Sequence, residues 1–288
     1  MKEAIVIDNI NKKLGDFCLE NISFTVPEGS IMGFVGPNGA GKSSIIKLIL
    51  NSISPDSGSI HMFGLDNSTH SKQIKQRIGF VHGEDFYSPQ FTLKTIKKIV
   101  APFYKEWDEK LFQHYVKKFQ LPLKKRVQKV STGTKRKFSL ALALSHHADI
   151  LILDEPTSGL DPLVRTELMD ILIKVVRDEN KTVLFSTHIT SDLEQIADYI
   201  TFINSGKLLL SKAKGELLDT YHLVKGSRDV LTNRLRPLLV GIRELPMEFE
   251  ALTDQVVRIR DDFAEQVILK PASIEEIFIH LVRGDVHV

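Results

Sequence analysis

The string Gly36-Pro-Asn-Gly-Ala-Gly41-Lys42-Ser43 matches G-x-x-x-x-G-K-[ST], and it constrains the fold of the chain more tightly than any other stretch. The apolar run Ile31–Val35 before it reads as a buried strand and residues 44–50 after it read as a helix, so the motif has the strand–loop–helix setting it needs. Glycines at 36, 39 and 41 let the backbone curl tightly, so that N–H groups and the positive end of the following helix converge on phosphate oxygens. Lys42 supplies positive charge for the outer phosphates, and Ser43 offers a hydroxyl to Mg²⁺. The pattern predicts binding of ATP or GTP through Gly36, Pro37, Asn38, Gly39, Ala40, Gly41, Lys42, Ser43 and Ser44.

Composition sets the outer bounds. A chain of 288 residues can bury a full core, as one large domain or two smaller ones. With 38 basic against 36 acidic residues and a net charge of +2 there is no polyelectrolyte character, and nucleic acid is not expected as a partner. Cys18 is the only cysteine, which rules out an internal disulfide and a cysteine-built metal cage and suits a reducing cytosol. The first eight residues are soon broken by charge, so no secretory signal is expected. No apolar stretch approaches the roughly 18–20 residues that span a bilayer.

Short apolar runs at Ala4–Ile7, Ile22–Val26, Ile31–Val35, Ile78–Val81, Ile150–Leu153, Thr182–Phe185 and Tyr199–Ile203 have strand length and end in turn formers or charge. Helical patterns lie between several of them, as in Leu163–Val176, which predicts an α/β core with a largely parallel sheet. Functional loops should then gather at the carboxyl ends of the strands. From about residue 90 to 145 the pattern becomes all-helical: Leu93, Ile96, Ile99 and Val100 recur at helical spacing, as do Leu111, Tyr115 and Phe119, with lysines on the other faces. Residues 221–288 read as a small C-terminal α+β appendage whose last helix, Ser273–Val282, carries Ile274, Ile277, Phe278 and Leu281 on its apolar face.

Ile150-Leu-Ile-Leu-Asp154-Glu155 is an apolar strand ending in two carboxylates. Beside a phosphate-binding loop, Asp154 can hold Mg²⁺ or its water while Glu155 faces the terminal phosphate. Hydrolysis needs a group that orients water and takes its proton, and Glu155 is the candidate general base. A third strand ends Phe185-Ser-Thr-His188, where an imidazole can contact the γ-phosphate and the water. His146 and His147 read instead as ordinary polar groups.

Taken in order and spacing, the phosphate loop, Ser131-Thr-Gly133-Thr-Lys-Arg-Lys, Asp154-Glu155-Pro-Thr-Ser158-Gly-Leu-Asp161 and His188 resemble the ATP-binding cassette (ABC) ATPases over roughly residues 3–220. The resemblance implies a nucleotide-binding domain at 1–220 with a helical subdomain at about 90–145, an antiparallel N-terminal β subdomain, and an accessory domain at 221–288. It implies ATP and Mg²⁺ as ligands. It also implies head-to-tail pairing with a second such subunit, in which Ser131 and Gly133 of one chain meet the ATP held by the other and Ser158–Asp161 carry contacts between the two sites. The adenine-stacking aromatic of the family falls at Leu14, with Phe17 close by; leucine can cover a purine by dispersion alone.

Two departures stand out. The family signature Leu-Ser-Gly-Gly-Gln is Val130-Ser-Thr-Gly-Thr134 here, which keeps the serine and the second glycine. The segment whose glutamine reaches Mg²⁺ and the transport subunit aligns with Ile78-Gly-Phe-Val-His-Gly83, leaving Glu84 or a water to replace it. The resemblance implies an ATPase subunit on the cytoplasmic face of a membrane, docked on a separate transmembrane permease through the Gly83–Pro89 region and the helical insertion. The chain's single cassette, the Lys-Arg-Lys after the signature and the C-terminal appendage resemble bacterial ABC subunits of the bacitracin-resistance and peptide-exporter kind. A soluble ABC-type ATPase of translation or DNA maintenance is the alternative reading, disfavoured by a single cassette and the lack of a sustained heptad tract.

Overall fold

The computed structural model describes residues 2–83 and 87–285. The chain runs β1 (Glu3–Leu14), β2 (Phe17–Pro27), β3 (Ile31–Val35), α1 (Lys42–Ile49), β4 (Ser57–Met62), β5 (Leu65–Asp66), α2 (Ser71–Gln76), β6 (Ile78–Val81), α3 (Leu93–Val100), α4 (Glu109–Lys118) and α5 (Thr132–Leu144). It continues through β7 (Ile150–Asp154), α6 (Pro162–Glu179), β8 (Thr182–Thr187), α7 (Thr190–Ile196), β9 (Tyr199–Asn204), β10 (Lys207–Ala213) and α8 (Lys214–Thr220). The C-terminal part comprises β11 (His222–Ser227), β12 (Val240–Glu244), β13 (Glu248–Thr253), α9 (Val256–Phe263), β14 (Val267–Pro271) and α10 (Ile274–Asp285).

Ten strands form one mixed sheet in the order β5-β4-β1-β2-β10-β9-β3-β8-β7-β6. The block β9-β3-β8-β7-β6 is parallel throughout. β1, β2, β4 and β5 pair antiparallel, and β10 joins the two parts, antiparallel to β9 and parallel to β2 through a single pair. Every residue of β3, β7 and β8 is buried, because helices or strands cover both faces of the sheet there. Alternate side chains feed separate cores: Ile31, Val35, Leu151, Leu153, Val183 and Phe185 on the face carrying α5 to α7, and Met32, Phe34, Ile150, Ile152 and Leu184 on the face carrying α1.

β1 and β2 extend well beyond the apolar runs Ala4–Ile7 and Ile22–Val26. Bulges near Asn9 carry the pairing past the polar stretch that hides the strand in the sequence, and Gly15 at φ +65° turns the hairpin. The expected helical insertion is present as α3, α4 and α5, whose Leu93, Ile96, Phe112, Tyr115 and Phe138 join the first core.

A second sheet, β12-β13-β11-β14, is antiparallel throughout and closes over Val224, Leu231, Leu235, Phe249, Ala251, Ile259 and Phe263. The expected last helix is α10, which starts one residue later than its apolar pattern and ends three residues beyond it. Its Ile274 and Ile277 are fully buried in the first core, and Phe278 packs on Phe202 with ring centroids 5.2 Å apart. Gly241 of β12 sits at φ +60° against α10, where a Cβ would stand 1.8 Å from the His280 carbonyl oxygen. Only glycine permits that approach.

Candidate active site

Parallel pairing brings three strand ends together. Val35 faces Thr187 across β3 and β8, and Asp154 faces Ser186 across β7 and β8, so Gly36, Glu155 and His188 emerge side by side at the carboxyl edge. Gly36 lies where a Cβ would meet the Ile203 carbonyl oxygen at 2.5 Å, and Gly41, at φ +109°, starts α1 where a Cβ would meet Leu19 at 2.7 Å. A side chain at residue 36 would therefore have to move the backbone of β9, and one at residue 41 would be strained by the left-handed backbone there. A pocket lined by Phe17, Pro37, Asn38, Gly39, Gly41, Lys42, Ser43, Ser44 and Glu155 opens above it.

Lys42 is 6% exposed, and its Nζ donates to the carbonyls of Gly36 at 2.7 Å and Pro37 at 3.2 Å. The same ammonium lies 3.1 Å from Glu155 Oε1. The other oxygen of that carboxylate, Oε2, is 2.7 Å from His188 Nδ1. Lysine, glutamate and histidine thus form one continuous chain of contacts under the phosphate loop. His188 is 42% exposed, so its ring is open to a bound group while its partner is held.

Asp154 is 8% exposed and accepts a hydrogen bond from Ser186 Oγ at 2.6 Å. Ser186 Oγ also accepts the Glu155 N–H at 3.0 Å. One buried hydroxyl therefore orients both carboxylate residues. Glu155 stands at φ +48°, a conformation that costs a residue with a Cβ of order 1–3 kcal/mol.

The remaining expected residues lie apart from this cluster within one chain. Ser131 is the N-cap of α5, its Oγ accepting the Thr134 N–H at 3.2 Å, and it faces solvent. Gly133 is buried, and a Cβ there would meet Val164 at 2.6 Å. Asp161 caps α6 by accepting the Val164 N–H at 3.0 Å, and it too is exposed. Phe17 reaches the phosphate loop; Leu14, its partner across the hairpin, is half-buried and does not line the pocket. Glu84 lies outside the described residues.

Sequence reasoning passed over Ser186, Thr157, Asp192 and Arg165. Thr157 Oγ1 donates to Asp192 Oδ2 at 2.7 Å, and Arg165 Nε donates to Asp192 Oδ1 at 2.5 Å. The signals were present but weak: Ser186 and Thr157 stand inside the strings already singled out, and Asp192 follows His188 by four residues.

Comparisons with known proteins bear on the family of the chain. Residues 19–158 match the family model described as ABC transporter. The chain is 30% identical to the bacitracin transport ATP-binding protein BcrA of Bacillus licheniformis over 291 aligned positions, covering 92% of each chain. It is 28% identical to the Nod factor export ATP-binding protein I of Rhizobium sp. strain N33, covering 97% of each. Among solved structures, a dimeric ATP-binding cassette in a post-hydrolysis state with ADP and Pi superposes with a TM-score of 0.65 at 21% identity, over 73% of this chain and 98% of that one. The chain belongs to the ABC transporter family, as one of its ATP-binding ATPase subunits.

Proposed function

We propose that the chain energises a membrane exporter of peptides or of antimicrobial, drug-like compounds, pairing head to tail with a second ATPase subunit on a separate transmembrane permease. The relatives named for bacitracin transport and Nod factor export support the export direction. No helix among the described residues is long and apolar enough to cross a membrane, which fits a subunit held at the cytoplasmic face by its permease. The observation that carries the catalytic reading is the contact chain from Lys42 through Glu155 to His188.

In this reading the N–H groups of Gly36–Ser44 and the start of α1 bind the ATP phosphates. Lys42 turns from Glu155 toward the outer phosphates. Glu155, relieved of that ion pair, accepts the proton of the attacking water, and His188 holds the carboxylate in place and contacts the γ-phosphate. Ser43 and Asp154 offer oxygen donors that would hold Mg²⁺, which would neutralise the charge that develops as ADP leaves. Ser131 and Gly133 of the partner close over the γ-phosphate, and Asp161 sits at the same junction. Phe17 covers the base with Leu14 behind it. Residues 221–288 form an accessory domain on the 1–220 nucleotide-binding domain, tied to it by α10.

Glu155→Gln tests the assignment. ATP binding should stay near the parental level while turnover drops about 10²- to 10⁴-fold, the loss typical of removing a general base. Gel filtration with MgATP should show the variant as a trapped dimer. Hydrolysis at the parental rate would overturn the reading.

A further inference from the structure

Glu155 has a left-handed backbone, a conformation that persists where the surrounding structure over-determines it, and hydrogen-bonded groups flank it on both sides. On the amino-terminal side the fixing group is Ser186, bonded to the Glu155 N–H and to Asp154. On the carboxyl-terminal side it is Thr157, a residue 1% exposed whose hydroxyl donates to Asp192. Asp192 is also 1% exposed and lies in the first turn of α7, which begins two residues after His188. Its second oxygen takes Arg165 Nε from α6, and Arg165 Nη2 bonds Ser191 Oγ at 2.9 Å. A carboxylate this buried is tolerated only when paired, and both of its oxygens are engaged. The two partners lie on the segment that follows Glu155 and on the helix that this segment enters.

We propose that Asp192 is a positioning residue for hydrolysis. Through Thr157 it clamps the turn after Glu155, and through Arg165 it fixes α6, so that the Glu155 carboxylate stays beside His188 at the mouth of the phosphate loop. Because α7 also follows directly on His188, one buried side chain sets the spacing between the glutamate and the histidine. This inference rests on the reading of Glu155 as the base.

Thr157→Val keeps the shape of the side chain and removes only the hydroxyl. It should lower kcat about 10- to 100-fold, the scale of a misplacement of about an ångström, while the KM and Kd for ATP stay at parental values because the phosphate loop is untouched. Thr157→Ser restores a hydroxyl and should recover most of the turnover. Asp192→Ala, which loses the Arg165 contact as well, should lower turnover at least as far as Thr157→Val, and the double variant should fall no further than Asp192→Ala, since the Thr157 contact is already broken in it. If Asp192→Ala fails to fold, Thr157→Val and Thr157→Ser still decide the question. Parental kcat in Thr157→Val beside a dead Glu155→Gln would overturn the clamp, as would a parallel loss of ATP affinity and kcat. Parental turnover in Glu155→Gln would instead overturn the base assignment beneath it.

Discussion

Gly83 lies against the end of the catalytic strand: a Cβ on residue 83 would stand 2.3 Å from the Asp154 carbonyl oxygen and 3.2 Å from Glu155 Cβ. The resemblance to the family leads to an expected glutamine in this segment, whereas here no side chain fits at residue 83 without moving the backbone of Asp154. The departure from the family pattern is therefore built into the packing of this site. Gly83→Ala should destabilise the fold by about 1–3 kcal/mol, the usual cost of overpacking. It should also lower kcat, because the clash displaces the residue that precedes the base. Thermal unfolding and ATPase turnover measured on one preparation check both. An unchanged Tm and rate would show that the loop yields freely.

Ser131 has two duties in the proposed reading, as the N-cap of α5 and as a contact to ATP held by a partner, and a pair of variants separates them. Ser131→Ala and Ser131→Arg both lose the cap, a cost of about 0.5–2 kcal/mol. Only the arginine adds bulk to an exposed surface meant to close against a second subunit. Ser131→Arg should abolish cooperative hydrolysis while the monomer still binds fluorescent ATP; Ser131→Ala should retain part of the turnover. Equal turnover in the two variants would leave Ser131 as a helix cap alone.

The parallel half of the fold was legible because buried parallel strands are written as unbroken apolar runs, such as Ile150–Leu153, bounded by turn residues. The antiparallel half was much less so. β4 reads Ser57-Gly-Ser-Ile-His-Met62 and buries only Ile60 and Met62, a pattern too sparse to announce a strand. In the candidate site, Lys42, Glu155 and His188, singled out in the sequence for their chemistry, stand in contact, with Asp154 beside them at the end of β7. What could not be read were the partners that hold them. Ser186 and Asp192 carry ordinary polar side chains whose importance comes from a strand register and a helix placement that exist only in three dimensions.

His146 was expected to be an ordinary polar group, but it is 2% exposed, stacks on Tyr104 with centroids 3.6 Å apart, and has no hydrogen-bond partner for Nδ1 among the described residues. Burial pushes its pKa down from 6.5 to about 4. In the unfolded chain the ring takes up a proton as the pH falls through 6.5, whereas in the folded protein it stays neutral until about 4. Stability that is complete above pH 6.5 is therefore lost progressively down to about pH 4, and no further below it. Between pH 7.5 and pH 5 the loss from this ring amounts to about 2 kcal/mol. His146→Phe keeps the stack on Tyr104 and removes the titration. Urea unfolding of parent and variant at the two pH values isolates the contribution, because a pH-independent change in packing cancels in the difference. The parent should lose about 2 kcal/mol more than the variant on acidification. Equal losses would show that the ring takes up its proton equally well in the folded protein.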